Sequence, residues 1–175
     1  MADNNSYIFK TALHSGVTNS IVNGLFAWFL SSGKTHLAIY GGAGVFVDYL
    51  ATTAILIFIL TLIVLPMQRK KAPLNIPVNT ATPSYYSTFF AYMSAYRNIA
   101  IALLLALYGL ILVAPLLLVI FEIVSIFGVS ELSRLYYSVA KGLLMGIVAA
   151  LVVLPIIYIA FKPAVGPSTA IGDKS

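Results

Sequence analysis

Along the chain, four long apolar stretches alternate with short polar ones. They run from about Leu13 to Ser31, Val45 to Met67, Ile99 to Ile123 and Lys141 to Phe161. Each approaches the ~20 residues that a helix needs to cross ~30 Å of hydrocarbon. The pattern predicts an all-α, polytopic membrane protein. Its four transmembrane helices would form two hairpins, packed as a four-helix bundle, in a single domain spanning residues 1–175.

The breaks between stretches carry turn and stop signals. Ser31 to Lys34 and Gly41 to Gly44 bound the first connection. Arg69, Lys70 and Lys71 end the second stretch, and Pro73, Pro77 and Pro83 hold the next segment extended or turned. Gly128 and the polar run Ser130 to Arg134 separate the third stretch from the fourth. Pro163 and Gly166 open a polar tail, 163–175, expected to be mobile. Tyr85, Tyr86, Phe89, Tyr92, Met93 and Tyr96 recur at helical spacing and predict a short interfacial helix before the third stretch. The first stretch has a lysine before it, as a signal peptide does. Asn19 and Asn23 interrupt its apolar run and no A-x-A site follows, so a retained span is the reading adopted.

Basic residues set an orientation. Lys10, Arg69, Lys70, Lys71, Arg97 and Lys162 fall on one side, against Lys34, Arg134 and Lys141 on the other. Lysine and arginine favour the cytoplasmic side. Both termini and the 68–97 loop are therefore expected in the cytoplasm, with the chain multi-pass in the membrane.

Composition agrees with this. Apolar residues make up 61% and charged residues 9%, where soluble domains hold ~45–50% and ~25%. By composition the chain resembles small bacterial-type inner-membrane proteins. The net charge of +5 is accounted for by residues flanking the spans, so no nucleic acid partner is expected. The absence of cysteine excludes disulfides, thiol nucleophiles and thiolate metal sites.

Two helices show faces built for close approach. Gly16, Ser20 and Gly24 lie at i, i+4 and i+8, beside Ser15, Asn19, Asn23 and Ala27. Gly142, Gly146 and Ala150 repeat the spacing in the last stretch, to pack within the chain or against a second copy. Small residues let helix backbones touch, and amides in lipid seek hydrogen bonds. The first span is thus expected to be the buried one, with Asn19 at the depth of Thr61 and able to bond it. Pro115 and Pro155 are expected to kink their helices.

Sites for chemistry are few. Asp48, Glu122 and Lys141 form a candidate outer charged cluster, because ionisable residues near a bilayer are costly. His14 and His36 fall on opposite sides, so they cannot share a metal; no metal or cofactor is expected. No H-E-x-x-H, G-x-S-x-G or P-loop motif occurs. The leading expectation is a transporter or channel component for a small neutral or weakly charged solute, lined by Ser15, Asn19, Asn23, Thr52 and Thr61. The alternative is a non-catalytic accessory or scaffold subunit in which those stripes only join helices. A membrane enzyme ranks last. Beyond the lipid bilayer, the expected partners are further copies of the chain or a larger membrane complex.

Overall fold

The computed structural model describes residues 2–42, 44–71, 93 and 96–161, with side chains from residue 6 onward. Most of the expected interfacial helix and of the 68–97 loop lies outside the described residues, as does the 163–175 tail. Four helices dominate: α1 (Ala2–Leu30), α2 (Val45–Lys71), α3 (Asn98–Ile126) and α4 (Arg134–Phe161). At 1.5 Å per residue each is roughly 40 Å long, more than a hydrocarbon core requires. Among the described residues three helices, α2, α3 and α4, are long and apolar enough to cross a membrane. His14, Asn19, Asn23 and several hydroxyls leave α1 too polar to join them on mean hydropathy alone.

The helices outrun the apolar stretches because their end turns use polar residues. Arg69, Lys70 and Lys71 form the last turn of α2, where cations complement the helix dipole. Helix α4 begins at Arg134, so Lys141 sits two turns inside it rather than at its start. Helices α2, α3 and α4 run without a break through Pro66, Pro115 and Pro155.

The helices run alternately up and down. Tyr7 near the start of α1 donates to Gln68 Oε1 near the end of α2, at 2.9 Å. Arg69 bonds Asn98 at the start of α3, and at the other end Arg134 of α4 donates to the Trp28 carbonyl of α1. One end therefore gathers the starts of α1 and α3 with the ends of α2 and α4. Packing does not follow the two expected hairpins. In space the helices lie in the order α1, α4, α2, α3, and the extended interfaces are α1–α4, α4–α2 and α2–α3. This is a layered row more than a closed four-helix bundle. The 14-residue connection from Ser31 to Gly44 gives α1 the reach to cross to α4, its sterically complementary partner.

Helix α4 rather than α1 is the buried helix: half of its apolar span is buried, against 11% for that of α3. Met145, Val153, Ile156 and Ile157 of α4 are enclosed. Ile57 and Leu65 of α2 meet Ile101 and Leu105 of α3 and Ile156 of α4 in the largest cluster. Helix α1 buries only the Ala12, Gly16, Ala27 stripe and turns Leu13, Val17, Ile21, Leu25 and Phe29 outward. In lipid an outward apolar side chain costs nothing, so the small stripe alone decides which face is covered.

Beside the four helices the chain carries one small sheet. At the end opposite the N-terminus, β1 (His36–Ala38) pairs antiparallel with β2 (Glu131–Ser133), Leu37 opposite Leu132. Flanking bonds from Ile39 N to Ser130 O and from Arg134 N to Thr35 O extend the ladder. The strands tie the α1–α2 connection to the α3–α4 connection. Three residues per strand are too few for a period-2 pattern to show in sequence.

Candidate functional site

The α1–α4 seam is built from the two small-residue stripes. A Cβ added to Gly146 would lie 2.7 Å from Ser20 Cβ and 2.8 Å from the Gly16 carbonyl. One added to Gly142 would lie 2.7 Å from the Ser20 carbonyl and 3.1 Å from Gly24 Cα. Ala150 closes the line, its Cβ 3.0 Å from where a Gly16 Cβ would be. Gly16, Ser20, Gly24, Gly142, Gly146 and Ala150 thus meet within one chain, backbone against backbone.

The expected polar lining does not converge. Asn19 Nδ2 donates to the Ser15 carbonyl at 2.9 Å, and Asn23 Nδ2 donates to the Asn19 carbonyl at 2.9 Å. Thr61 is fully buried and its hydroxyl donates to the Ile57 carbonyl of its own helix at 2.7 Å. Asn19 and Thr61 therefore do not bond each other, since each spends its donor on its own helix. Thr52 is half-buried on α2; its neighbour Thr53 is the residue that faces α4, with Oγ1 3.9 Å from Met145 Sδ.

The sheet end gathers the charged groups. Lys141, 6% exposed, places Nζ 2.6 Å from Asp48 Oδ2. Tyr137 Oη donates to the same oxygen at 2.7 Å, and Lys141 Nζ lies 3.3 Å from Tyr137 Oη. Tyr49 stacks on Tyr137 and donates to its carbonyl at 3.1 Å. A buried ammonium is tolerated only when paired and hydrogen-bonded, and this arrangement supplies both. Helical spacing sets it up: Tyr137 and Lys141 are i, i+4 on α4, and Asp48 opens α2.

Glu122, the third member of the expected cluster, is held elsewhere. Tyr40 donates to its Oε1 at 2.9 Å. Tyr40 lies in the β1–α2 connection, and desolvation with the bonded Glu122 carboxylate raises its pKa above the ordinary value. An aromatic chain of Tyr40, Phe46, Phe121 and Tyr49 joins the two halves of this end. Sequence reasoning missed Tyr49, Tyr137 and Tyr40; the one local signal was the i, i+4 relation of Tyr137 to Lys141.

A cavity of about 180 Å³ opens beside the ion pair, between the end of α1, β1 and the starts of α2 and α4. Lys34, Ser31, Asp48 and Tyr137 supply its polar walls. Arg134 caps the neighbouring corner, its guanidinium 3.9 Å from the centre of the Trp28 ring. Among the described residues no group of three or more metal-ligating side chains comes together. Comparison with protein-family models, with curated proteins and with solved structures finds no match for this chain.

Proposed function

We propose that this chain is a four-span protein of a bacterial-type inner membrane, both termini and the 68–97 loop cytoplasmic, and a non-catalytic accessory or scaffold subunit of a larger membrane complex. The observation that carries this reading is how α1 spends its polar groups. Its amides bond their own backbone and its small residues bring it backbone to backbone against α4. The stripe therefore works as a joint between helices rather than as the wall of a passage. Three apolar helices and an equally long, co-aligned α1 support four crossings. The outward apolar faces of α1 and α3 offer surface to lipid or to neighbouring subunits.

Native mass spectrometry of the protein drawn from its own membrane in mild detergent tests the reading. A discrete complex with another protein is expected; recovery only as a monomer or homo-oligomer overturns it. Topology is tested separately on the cysteine-free chain. Lys34→Cys and Glu131→Cys should react with an impermeant maleimide from outside, and Lys71→Cys only after permeabilisation.

A second reading, a homo-oligomeric transporter or channel component for a small neutral or weakly charged solute, is favoured by the cavity at the sheet end. It predicts liposome flux that falls in Lys34→Gln, at the wall of that cavity. An enzyme would require Asp48, Glu122 and Lys141 to act together, and Tyr40 holds Glu122 away from the pair.

A further inference from the structure

We infer that the cavity between the end of α1 and the starts of α2 and α4 binds a small zwitterionic group, its anionic end on Lys34 and its primary ammonium on Asp48. The argument begins with unspent valence. Asp48 Oδ2 takes both the Lys141 and the Tyr137 bonds. Its second oxygen accepts none among the described residues, and its side chain is 39% exposed. Lys34 stands on the same walls, and its ammonium has no partner among the described residues. Lys34 and Asp48 line one cavity without pairing with each other, and so offer a cationic donor and an unused carboxylate oxygen to whatever enters between them.

The charge balance sharpens the ligand. Lys141 neutralises Asp48, so Lys34 leaves the cavity net positive and an anionic group is attracted first. The unused Asp48 oxygen then accepts from an N–H donor, and such charge-assisted bonds are about twice as strong as neutral ones. A quaternary ammonium has no N–H to offer and is refused that bond. Leu30, Leu37 and Val45 give the rest of the wall an apolar character. About 180 Å³ suits a group of phosphoethanolamine size, below the ~300–1,000 Å³ of drug-sized sites. The cavity lies at the ends of the helices, at headgroup depth for a spanning chain, so the group could arrive on a lipid or as a free solute. The inference holds whether the chain is an accessory subunit or a transporter.

The test uses the full chain, delipidated in mild detergent, with thermal unfolding followed as ligand is added. The probes are soluble phosphoethanolamine, dihexanoyl phosphatidylethanolamine and dihexanoyl phosphatidylcholine. The ethanolamine lipid should raise the midpoint and the choline lipid should not. Lys34→Gln, which breaks no hydrogen bond of the fold, should weaken binding at least tenfold. Asp48→Asn should also weaken it, but it strands Lys141, so Lys34→Gln is the deciding variant. A response to soluble phosphoethanolamine as well assigns a free solute, and a response only to the acylated form assigns a lipid. No shift with either ethanolamine probe, an equal shift with the choline lipid, or an unchanged shift in Lys34→Gln overturns the inference.

Discussion

Adding one methyl group to Gly146 should prise α1 from α4. The new Cβ would sit 2.7 Å from Ser20 Cβ and 2.8 Å from the Gly16 carbonyl, where carbon atoms rest at ~3.5–4.0 Å. Backbone atoms cannot rotate aside, so α1 must withdraw by roughly 1 Å at that level, which forfeits a quarter to a half of each contact's attraction. In lipid no hydrophobic term holds the helices together, so the loss falls on the seam itself. Overpacking of this kind costs ~1–3 kcal/mol. Trp28, the chain's single tryptophan, stacks on Arg134 across the same interface. Its fluorescence during SDS titration in mild detergent therefore reports separation of α1 from α4. Gly146→Ala and Gly142→Ala should both lower the midpoint. Ser20→Gly should partly rescue Gly146→Ala, whose clash is in part with the Ser20 side chain, and should not rescue Gly142→Ala, whose clash is with the Ser20 carbonyl. Unchanged midpoints, or equal rescue of both variants, would refute the seam as described.

Other outcomes follow from the sheet end. Asp48→Asn leaves the 6%-exposed Lys141 without its counter-charge and should cost ~3 kcal/mol in the same titration, the lower end for breaking a buried pair. Lys141→Met should cost clearly less, because Asp48 can turn to water. Tyr49→Phe removes the donor to the Tyr137 carbonyl and should cost ~1 kcal/mol. Gly44→Ala puts a Cβ 2.8 Å from the Ile39 carbonyl oxygen and the Tyr40 carbonyl carbon. Amide exchange should then speed up at Ile39 and its strand neighbours while the helix cores stay protected.

Why some of this was legible in sequence and some was not is a matter of which forces act in lipid. Steric complementarity is local and directional, so the Gly16, Ser20, Gly24 and Gly142, Gly146, Ala150 stripes announced close-packing faces. They did not announce which of the two helices, α1 or α4, would be the peripheral one. A long apolar run reads the same against lipid as against protein, so the sequence of α4 does not distinguish its buried Val153 and Ile157 from the outward Leu143 and Leu151. Amides misled in another way. Asn19 was expected to reach across to Thr61 of α2, but it and Asn23 each have a carbonyl of their own helix four residues back, which needs no partner helix. Charge placement was half legible. Asp48 lies in the first turn of α2 and Lys141 two turns into α4 at the same end, which brings them together. Glu122 depended on where the loop would carry Tyr40, and loop geometry has no periodicity to read.

Those same in-helix amide bonds bear on how the chain is made. Gly24 meets Gly142 across the seam, so the partner face of α1 is synthesised more than a hundred residues after α1 itself. At ~5–20 residues per second that is a wait of roughly ten seconds. Through it, α1 has to survive without the extended partner that α4 provides. An asparagine that needed a cross-helix acceptor would spend that time unsatisfied and open to wrong pairings. One that bonds its own backbone is inert until α4 arrives, and the two-stranded sheet, whose second strand immediately precedes α4, then latches the pair in place. The polar stripe is thus also a way for a helix to wait.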